Sequence, residues 1–385
     1  MHSKKLLLGA LIAGAVTGVQ ATPYGFFDAR SVAMGNTSVA TGNIAVAGFS
    51  NPAMLIVNEN KDSFGLLIPA IGVQLIDNGG MQDSVDEFQN LYDQFQASPS
   101  TPTADAMVAV LNRMENSALV LNVDANVALA YAGTNWAFAG TYRAHADAGA
   151  IITNVDTAYT LTPGDGPTAD FTAIGLLTST AAFSVATKFN VLGMDLAVGV
   201  TPKNVSVDAI TFSQTVNTVN VDDTVSDAVE ENLGSFSTLD AGMALQVTNS
   251  ITVGLVAKNL MSESLTSTSL DLNGDPYKFN FDTHLRAGAA YHNSFMTLAA
   301  DMDLTEIKPL SFEDPSKMLA LGVEFNAFDF MQLRAGYQTN MASGATEPDL
   351  FSAGIGLWLG FHLDAAAVVG SDSSVGAMIQ LGFRF

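Results

Sequence analysis

The sequence predicts an all-β membrane protein: a 14-stranded antiparallel outer-membrane β-barrel with a small N-terminal plug and a short helical insertion in the first extracellular loop. Three observations lead to this prediction. The last segment alternates between apolar and small or polar residues, similar segments fill most of the chain, and the connections between them are alternately long and short. A soluble β-sandwich has no reason to sort its connections in this way.

The final strand, 374–385, has one apolar face that includes Phe383 and the terminal Phe385, whereas Arg384 falls on the opposite face. An apolar strand at an unpaired sheet edge promotes aggregation, so a soluble protein rarely ends on one. A closed barrel pairs its last strand with its first. We therefore predict that Phe383 and Phe385 are the barrel-closure signal and pair with the strand that begins at Phe64.

The N-terminus, 1–21, has the features of a secretory signal peptide. Lys4 and Lys5 are followed by an apolar run from Leu6 to Val19, which is too short for a membrane span. Small residues then flank Gln20, as they do at signal-peptidase sites. We predict cleavage near Ala21 and delivery of the mature chain to the outer membrane of a Gram-negative bacterium.

The composition excludes several classes of function. The chain has no cysteine, which removes disulfides, thiolate metal ligands and a lipoprotein anchor. Its formal net charge of −23 makes nucleic acid a poor partner. Its five histidines show no metal-ligand spacing, so neither a metal site nor a cofactor is predicted. The chain is 48% hydrophobic and only 14% charged, a balance that alternating barrel strands can carry.

Residues 22–62 are the predicted plug. They are rich in small residues and lack sustained alternation, and Asn51-Pro52-Ala53 indicates a turn. A compact segment of this kind can thread into a barrel lumen. Its apolar residues either line a solute pocket or form the core of the plug, and both alternatives stay open for Met34, Val39, Ile44, Val46, Phe49 and Leu55.

The predicted barrel occupies 63–385. Its strands are 63–76, 119–132, 135–148, 178–189, 193–213, 236–247, 251–260, 277–292, 294–304, 318–328, 330–339, 350–360, 361–370 and 374–385. Connections after odd-numbered strands are mostly long, and those after even-numbered strands are tight. This sorting predicts periplasmic termini and extracellular long loops. The clearest alternation, in 277–292, predicts that Tyr277, Phe279 and Phe281 face lipid.

The first long connection, 77–118, changes from strand to helix periodicity. Val85, Phe88, Tyr92 and Phe95 recur at helical spacing, and the pattern resumes after a proline-containing linker. Two short amphipathic helices are predicted. They form either a hairpin that packs on its own neighbours or a lid over the mouth of a pore.

Charged residues recur on the predicted inner faces. Such groups need partners when buried, so we expect them to pair with one another or with the plug rather than to mark a substrate pathway. No serine accompanies a histidine and an acid as a hydrolase requires, so the chain is predicted not to be an enzyme. The predicted lumen charges are Arg143, His145, Asp147, Asp282, His284, Arg286, Glu324, Arg334, His362, Asp364 and Arg384.

The segments from Phe27 to Gly35 and from Phe49 to Ala53 resemble the N-terminal hatch of FadL-like outer-membrane proteins, including its Asn-Pro-Ala motif. The opening is also similar to that of a branch named conjugal transfer protein TraF, of the outer-membrane type. The helical segment after the first strand departs from the fatty-acid transporters and favours this branch.

The resemblance implies a 14-stranded plugged barrel that takes up hydrophobic molecules passively. The alternative function is an outer-membrane component of a conjugation, type IV secretion or surface-assembly system without a transport role. The implied partners are outer-membrane lipid, the barrel-assembly machinery, and either hydrophobic small molecules or conjugation components.

Overall fold

A computed structural model describes residues 27–57, 62–115, 117–216, 229–270, 274–307, 315–328, 330–345, 347–371 and 373–385. The predicted signal peptide, with its cleavage site near Ala21, lies outside these residues, as does the beginning of the predicted plug.

The strands of the described chain close into an antiparallel barrel of 14, as the sequence predicts. In chain order the strands are β1 (Phe64–Asn78), β2 (Ala118–Ala132), β3 (Trp136–Asp156), β4 (Thr168–Val191), β5 (Met194–Thr215), β6 (Val229–Thr248), β7 (Ile251–Lys258), β8 (Glu263–Leu270), β9 (Pro276–Phe281), β10 (His284–His292), β11 (Met296–Asp303), β12 (Met318–Phe328), β13 (Met331–Asn340), β14 (Leu350–Trp358), β15 (His362–Gly370) and β16 (Val375–Arg384). All except β8 and β9 belong to the barrel wall, and β7 pairs directly with β10.

The barrel closes between β1 and β16. Leu66 lies opposite Phe383 in this antiparallel pair. The backbone N–H groups of Ser63 and Phe64 donate to the carbonyl of Phe385 at 2.9 and 2.8 Å. The Phe385 ring stacks on Phe64 with ring centroids 5.0 Å apart, so the last residue continues the seam beyond β16.

Strand β1 shifts register around Pro69. The ladders to β2 and to β16 both slip between Leu67 and Ala70. Proline has no N–H to donate to a neighbouring strand, which accounts for a bulge at this position.

The prediction of one wall strand over 277–292 is wrong for its first half. Asp282 and Thr283 interrupt it, and β9 pairs with β8 in a separate two-stranded sheet. Tyr277, Phe279 and Phe281 are buried inside the molecule instead of facing lipid. Alternation identifies two faces of a strand but not which one meets lipid, and the two-residue break reverses the parity between β9 and β10.

Residues 27–57 lie inside the barrel. A short helix, α1 (Ala29–Ala33), contacts β13 to β16, and a 3-10 helix (Pro52–Leu55) contacts β2 to β6. The carboxylate of Asp28 caps α1 by accepting from the Ser31 N–H at 3.0 Å and from the Ser31 hydroxyl at 2.5 Å. Burial raises the pKa of the Asp28 carboxyl, and the hydrogen bonds from Ser31 oppose that rise.

Two helices follow β1 where helical spacing is predicted: α2 (Met81–Ala97) and α3 (Thr101–Met114). Asp77 caps the first by accepting from the N–H of Met81 at 2.6 Å. Phe95 and Met107 are fully buried between the helices and the ends of nearby strands. The pair therefore has an apolar core of its own beside the barrel. Over the described ranges, no helix is long and apolar enough to cross a membrane.

Candidate functional site

The plug meets the wall along a row of glycines, one from each of seven strands. A Cβ atom added to any of them would lie 2.0 to 2.8 Å from a plug atom. The plug therefore lies directly against the backbone of the wall at these positions, where a wall side chain would leave it no room. This glycine belt consists of Gly199, Gly242, Gly254, Gly288, Gly322, Gly336 and Gly354.

The Asn-Pro-Ala motif is part of this contact. The Asn51 amide nitrogen donates to the carbonyls of Val39 at 2.9 Å and Met243 at 3.1 Å. Its side-chain oxygen accepts from the N–H of Ala53 at 3.1 Å and so caps the 3-10 helix that begins at Pro52. Asn51 thus joins two parts of the plug to strand β6.

Buried charges attach α1 to the short strands. Glu324 accepts from the Arg30 side chain of the plug at 2.9 Å through each of two nitrogens, and from Arg334 at 2.7 Å. Arg334 also donates to Asp364 at 2.6 Å, and Gln380 donates to the same carboxylate at 2.9 Å. These residues form a continuous network from β12 to β16.

A second charged group holds the middle of the plug. Asp301 on β11 accepts from the backbone N–H groups of Ser38 at 2.7 Å and Val39 at 2.9 Å. Arg286 lies 3.8 Å from Asp301 and 3.6 Å from Asp303. Asp301 is buried on the inner face of its strand, where the parity of that strand predicts it.

The remaining predicted charges have partners on neighbouring strands. Arg143 and His145 both contact Asp124 on β2, at 2.6 and 2.9 Å. Asp147 is buried on the same face of β3. The prediction for Asp282 is wrong, because its side chain is exposed in the break between β9 and β10, whereas His284 is buried and lies 3.2 Å from Asp303.

His362 and Arg384 lie near the short-turn end of the barrel. The Arg384 guanidinium is 3.0 Å from Nδ1 of His362 and 3.8 Å from the Asp62 carboxylate. Both side chains are partly buried. They lie just below the network that holds α1, so they extend the polar inner face of β15 and β16.

A small cavity lies between the plug and strands β3 to β7. Its volume is about 60 Å³, and its lining includes Phe27, Phe49, Lys203, Asp240, Lys258 and Phe281. Among the predicted apolar plug residues, Phe49 lines this cavity, whereas Met34, Val39, Ile44, Val46 and Leu55 are buried in plug contacts.

Two basic side chains lie over the Phe27 ring at this cavity. The Lys258 ammonium is 4.2 Å from the ring centroid, and the Arg143 guanidinium carbon is 4.8 Å from it. Such contacts stabilise a cation over an aromatic face. Lys258 also donates to the carbonyl of Phe49. Sequence reasoning missed Lys258, although a lysine on the inner parity of an otherwise apolar strand was a usable signal.

Above the cavity, on the side of the long connections, the inside of the barrel is apolar. Val205 and Phe281 belong both to the cavity lining and to this region. Barrel interiors are normally polar, so a buried apolar group inside the wall is unusual. This inner apolar cluster consists of Ile174, Leu176, Val205, Val207, Ala209, Phe236, Tyr277, Phe279 and Phe281.

Several solved structures share this fold. They include the TodX deltaS2S3 mutant monoaromatic hydrocarbon channel (TM-score 0.53, 13% identity, 93% of this chain and 99% of that chain). The CymD monoaromatic hydrocarbon channel matches with a TM-score of 0.52 at 13% identity, over 93% and 97% of the two chains. The toluene transporter TbuX of Ralstonia pickettii matches with a TM-score of 0.51 at 13% identity, over 94% and 99%. These fold neighbours are transport channels, not enzymes.

No curated protein matches the sequence. A family model does match, and it covers residues 48–303, which is more than half of the chain. Its description is "F plasmid transfer operon, TraF, protein". The chain therefore belongs to this TraF family, and its barrel has the fold of the FadL-like outer-membrane channels.

Proposed function

We propose that this protein is an outer-membrane channel for the passive uptake of small hydrophobic molecules. The observation that carries the proposal is the inner apolar cluster, which is continuous with the cavity beside the plug through Val205 and Phe281. The free energy of a hydrophobic solute falls when its surface leaves water, so an apolar interior favours its entry. The shared fold with proteins titled as hydrocarbon channels supports the same function.

The structure represents a closed state of such a channel. A cavity of about 150 Å³ holds a molecule of benzene, whereas the cavity beside the plug is about 60 Å³. Passage of a monoaromatic hydrocarbon thus requires local movement of the cavity lining. On β3 and β4, by contrast, wall side chains face the plug: a Cβ added to Gly48 of the plug would lie 2.9 Å from Thr141 and 3.2 Å from Ser184.

We propose an orientation for the channel as well. The mature chain starts near Thr22 after signal-peptide cleavage, both termini face the periplasm, and the long connections face the exterior. In this orientation a solute meets the inner apolar cluster first and the plug afterwards. Outer-membrane lipid and the barrel-assembly machinery are the partners that this arrangement requires.

The test is to fill the cavity from the wall. Ala182 on β4 lines the cavity, and the adjacent Ala181 is exposed on the outer face of the same strand. We expect Ala182→Phe to reduce the uptake of radiolabelled toluene by Gram-negative cells several-fold, because the ring occupies the solute path. Ala181→Phe adds the same ring on the lipid-facing side and should leave uptake unchanged.

Equal surface amounts of the two variants, and equal shifts in migration between boiled and unboiled samples, would show that both barrels assemble. Equal uptake by Ala182→Phe, Ala181→Phe and the parent protein would contradict the proposed path. Uptake no greater than that of cells without the protein would contradict transport itself.

The family description favours a second candidate, an outer-membrane component of a conjugative transfer system. This function needs a partner surface and not a solute path. Deletion of the gene would then reduce conjugation frequency, and Ala182→Phe would restore it as well as the parent protein does. A transport role instead predicts that Ala182→Phe fails to restore toluene uptake.

A further inference from the structure

The β8–β9 hairpin is a part of the molecule that neither the family nor the barrel fold explains. The polypeptide leaves the wall after β7 and returns to it at β10, and the hairpin between them forms its own two-stranded sheet. Its inner face carries Tyr277, Phe279 and Phe281, all buried against β4 to β6. The Phe281 ring lies 4.8 Å from that of Phe236 on the wall.

We infer that this hairpin is the lid of the solute cavity, and that its aromatic face is a roof that an entering hydrophobic molecule displaces. The inference rests on the proposed channel function and specifies its gate. Phe281 is the link, because it lines the cavity and also belongs to the hairpin.

The hairpin is attached to the wall mainly through side chains. In the described ranges β8 and β9 pair only with each other, so moving them breaks no strand ladder of the barrel. The side-chain packing that opening disrupts is mostly apolar, and a hydrophobic solute can take the place of the hairpin on the same wall residues. Opening in the presence of solute therefore costs less than opening into water.

The base of the hairpin is a defined turn. Asn259 follows β7 with a φ of 52°, a left-handed conformation that asparagine tolerates. Its N–H donates to Asp240 at 2.9 Å, and its carbonyl accepts from the Thr283 hydroxyl at 2.7 Å. These bonds tie the exit and return points of the chain together, so the hairpin can rotate about them as a unit.

A carboxylate holds the distal part of the hairpin. Glu231 on β6 accepts from the backbone N–H of Thr268 at 2.8 and 2.9 Å through its two oxygens, and from that of Ser269 at 3.4 Å. Charged acceptors make stronger hydrogen bonds than neutral ones. Glu231 is thus a latch whose removal should favour the open lid, while the fixed base remains intact.

The experiment measures opening separately from transport. The chain has no cysteine, so a single cysteine introduced by Val207→Cys reports on the wall surface beneath the hairpin, where Val207 is fully buried. We expect Glu231→Gln to raise its rate of labelling by a water-soluble maleimide several-fold. Glu230→Gln alters the adjacent, exposed carboxylate and should not change that rate.

Lys278→Cys provides the assembly control, because this position on the outer face of β9 is exposed and should label at the same rate in both backgrounds. If Val207→Cys labels equally with Glu231→Gln and Glu230→Gln, the lid inference is overturned. If Glu231→Gln raises labelling but toluene uptake by the parent protein is no greater than that of cells without the protein, the lid stands and the channel function fails. If Ala182→Phe blocks uptake but Glu231→Gln does not change the labelling of Val207→Cys, the channel function stands and the lid inference fails.

Discussion

The wall has a long half, β1 to β6, and a short half, β7 and β10 to β16, and the two halves differ in strand length. Strands β3 to β6 contain 21, 24, 22 and 20 residues, whereas β10 to β16 contain between 8 and 11. A tilted strand crosses a membrane with about 9–11 residues. The strands of the short half are therefore just long enough to span the membrane. Strands β3 to β6 extend beyond it by about 10 residues, or about 33 Å along each strand.

The inner faces of the halves differ as well. The short half presents Glu324, Arg334 and Asp301 together with most of the glycine belt, and all of these contact the plug or its partners. The long half carries the inner apolar cluster and supports the hairpin and the helix pair. In the proposed channel, the short half thus holds α1 and the middle of the plug, whereas the long half, which also contacts the 3-10 helix of the plug, offers the solute an apolar path.

The largest effect is expected from a side chain in the glycine belt of the short half. A Cβ at Gly336 would lie 2.0 Å from the N atom of Gly35 in the plug. Gly336→Val should therefore prevent the plug from seating and should open the lumen. We expect a large increase in single-channel conductance and in the sensitivity of cells to antibiotics that the outer membrane excludes.

The matched control is Gly140→Val on β3, where an added Cβ meets nothing within 4 Å. This variant should conduct like the parent protein. If Gly336→Val also remains closed while assembling normally, the plug does not depend on the belt, and the two halves do not divide their tasks in this way.

A smaller effect is expected from the charge network of the short half. Glu324→Gln removes the carboxylate shared by Arg30 and Arg334, both of which are nearly buried. Removing one partner of a buried ion pair leaves an uncompensated charge and costs about 3–5 kcal/mol. Urea unfolding in lipid vesicles should show this loss, whereas Glu306→Gln, at an exposed site, should show none. Equal stability of the two variants would argue that the belt alone holds the plug.

The short half was also the more predictable from sequence. Its strands are regular and just long enough to span, so parity alone placed Glu324, Arg334 and Asp364 on the inner face. Parity failed at Asp282, where the two-residue break shifts the phase of the alternation. It could not identify Tyr277 and Phe279 as interior residues, because an apolar face looks the same against lipid and against an apolar interior.

The partners of the inner charges were less predictable than their positions. The inner charges were expected to pair with one another or with the plug, but the sequence could not show that Arg143 and His145 share Asp124 on the neighbouring strand. Cross-strand neighbours lie closer than residues two apart on one strand, yet strand register must be known before they can be named. The cavity combines residues from the plug and six strands, so no local pattern could have revealed it.

The smallest effect is expected from an ion pair in the long half. Glu87 and Arg113 join α2 to α3, but their side chains are 52% and 55% exposed. Exposed pairs contribute about 0–1 kcal/mol, because water screens them. Glu87→Gln should therefore leave urea unfolding nearly unchanged, whereas Phe95→Ala in the buried helix core should cost about 3–5 kcal/mol. The reverse order would mean that charge, not apolar packing, holds the accessory elements of the long half, as it does the plug in the short half.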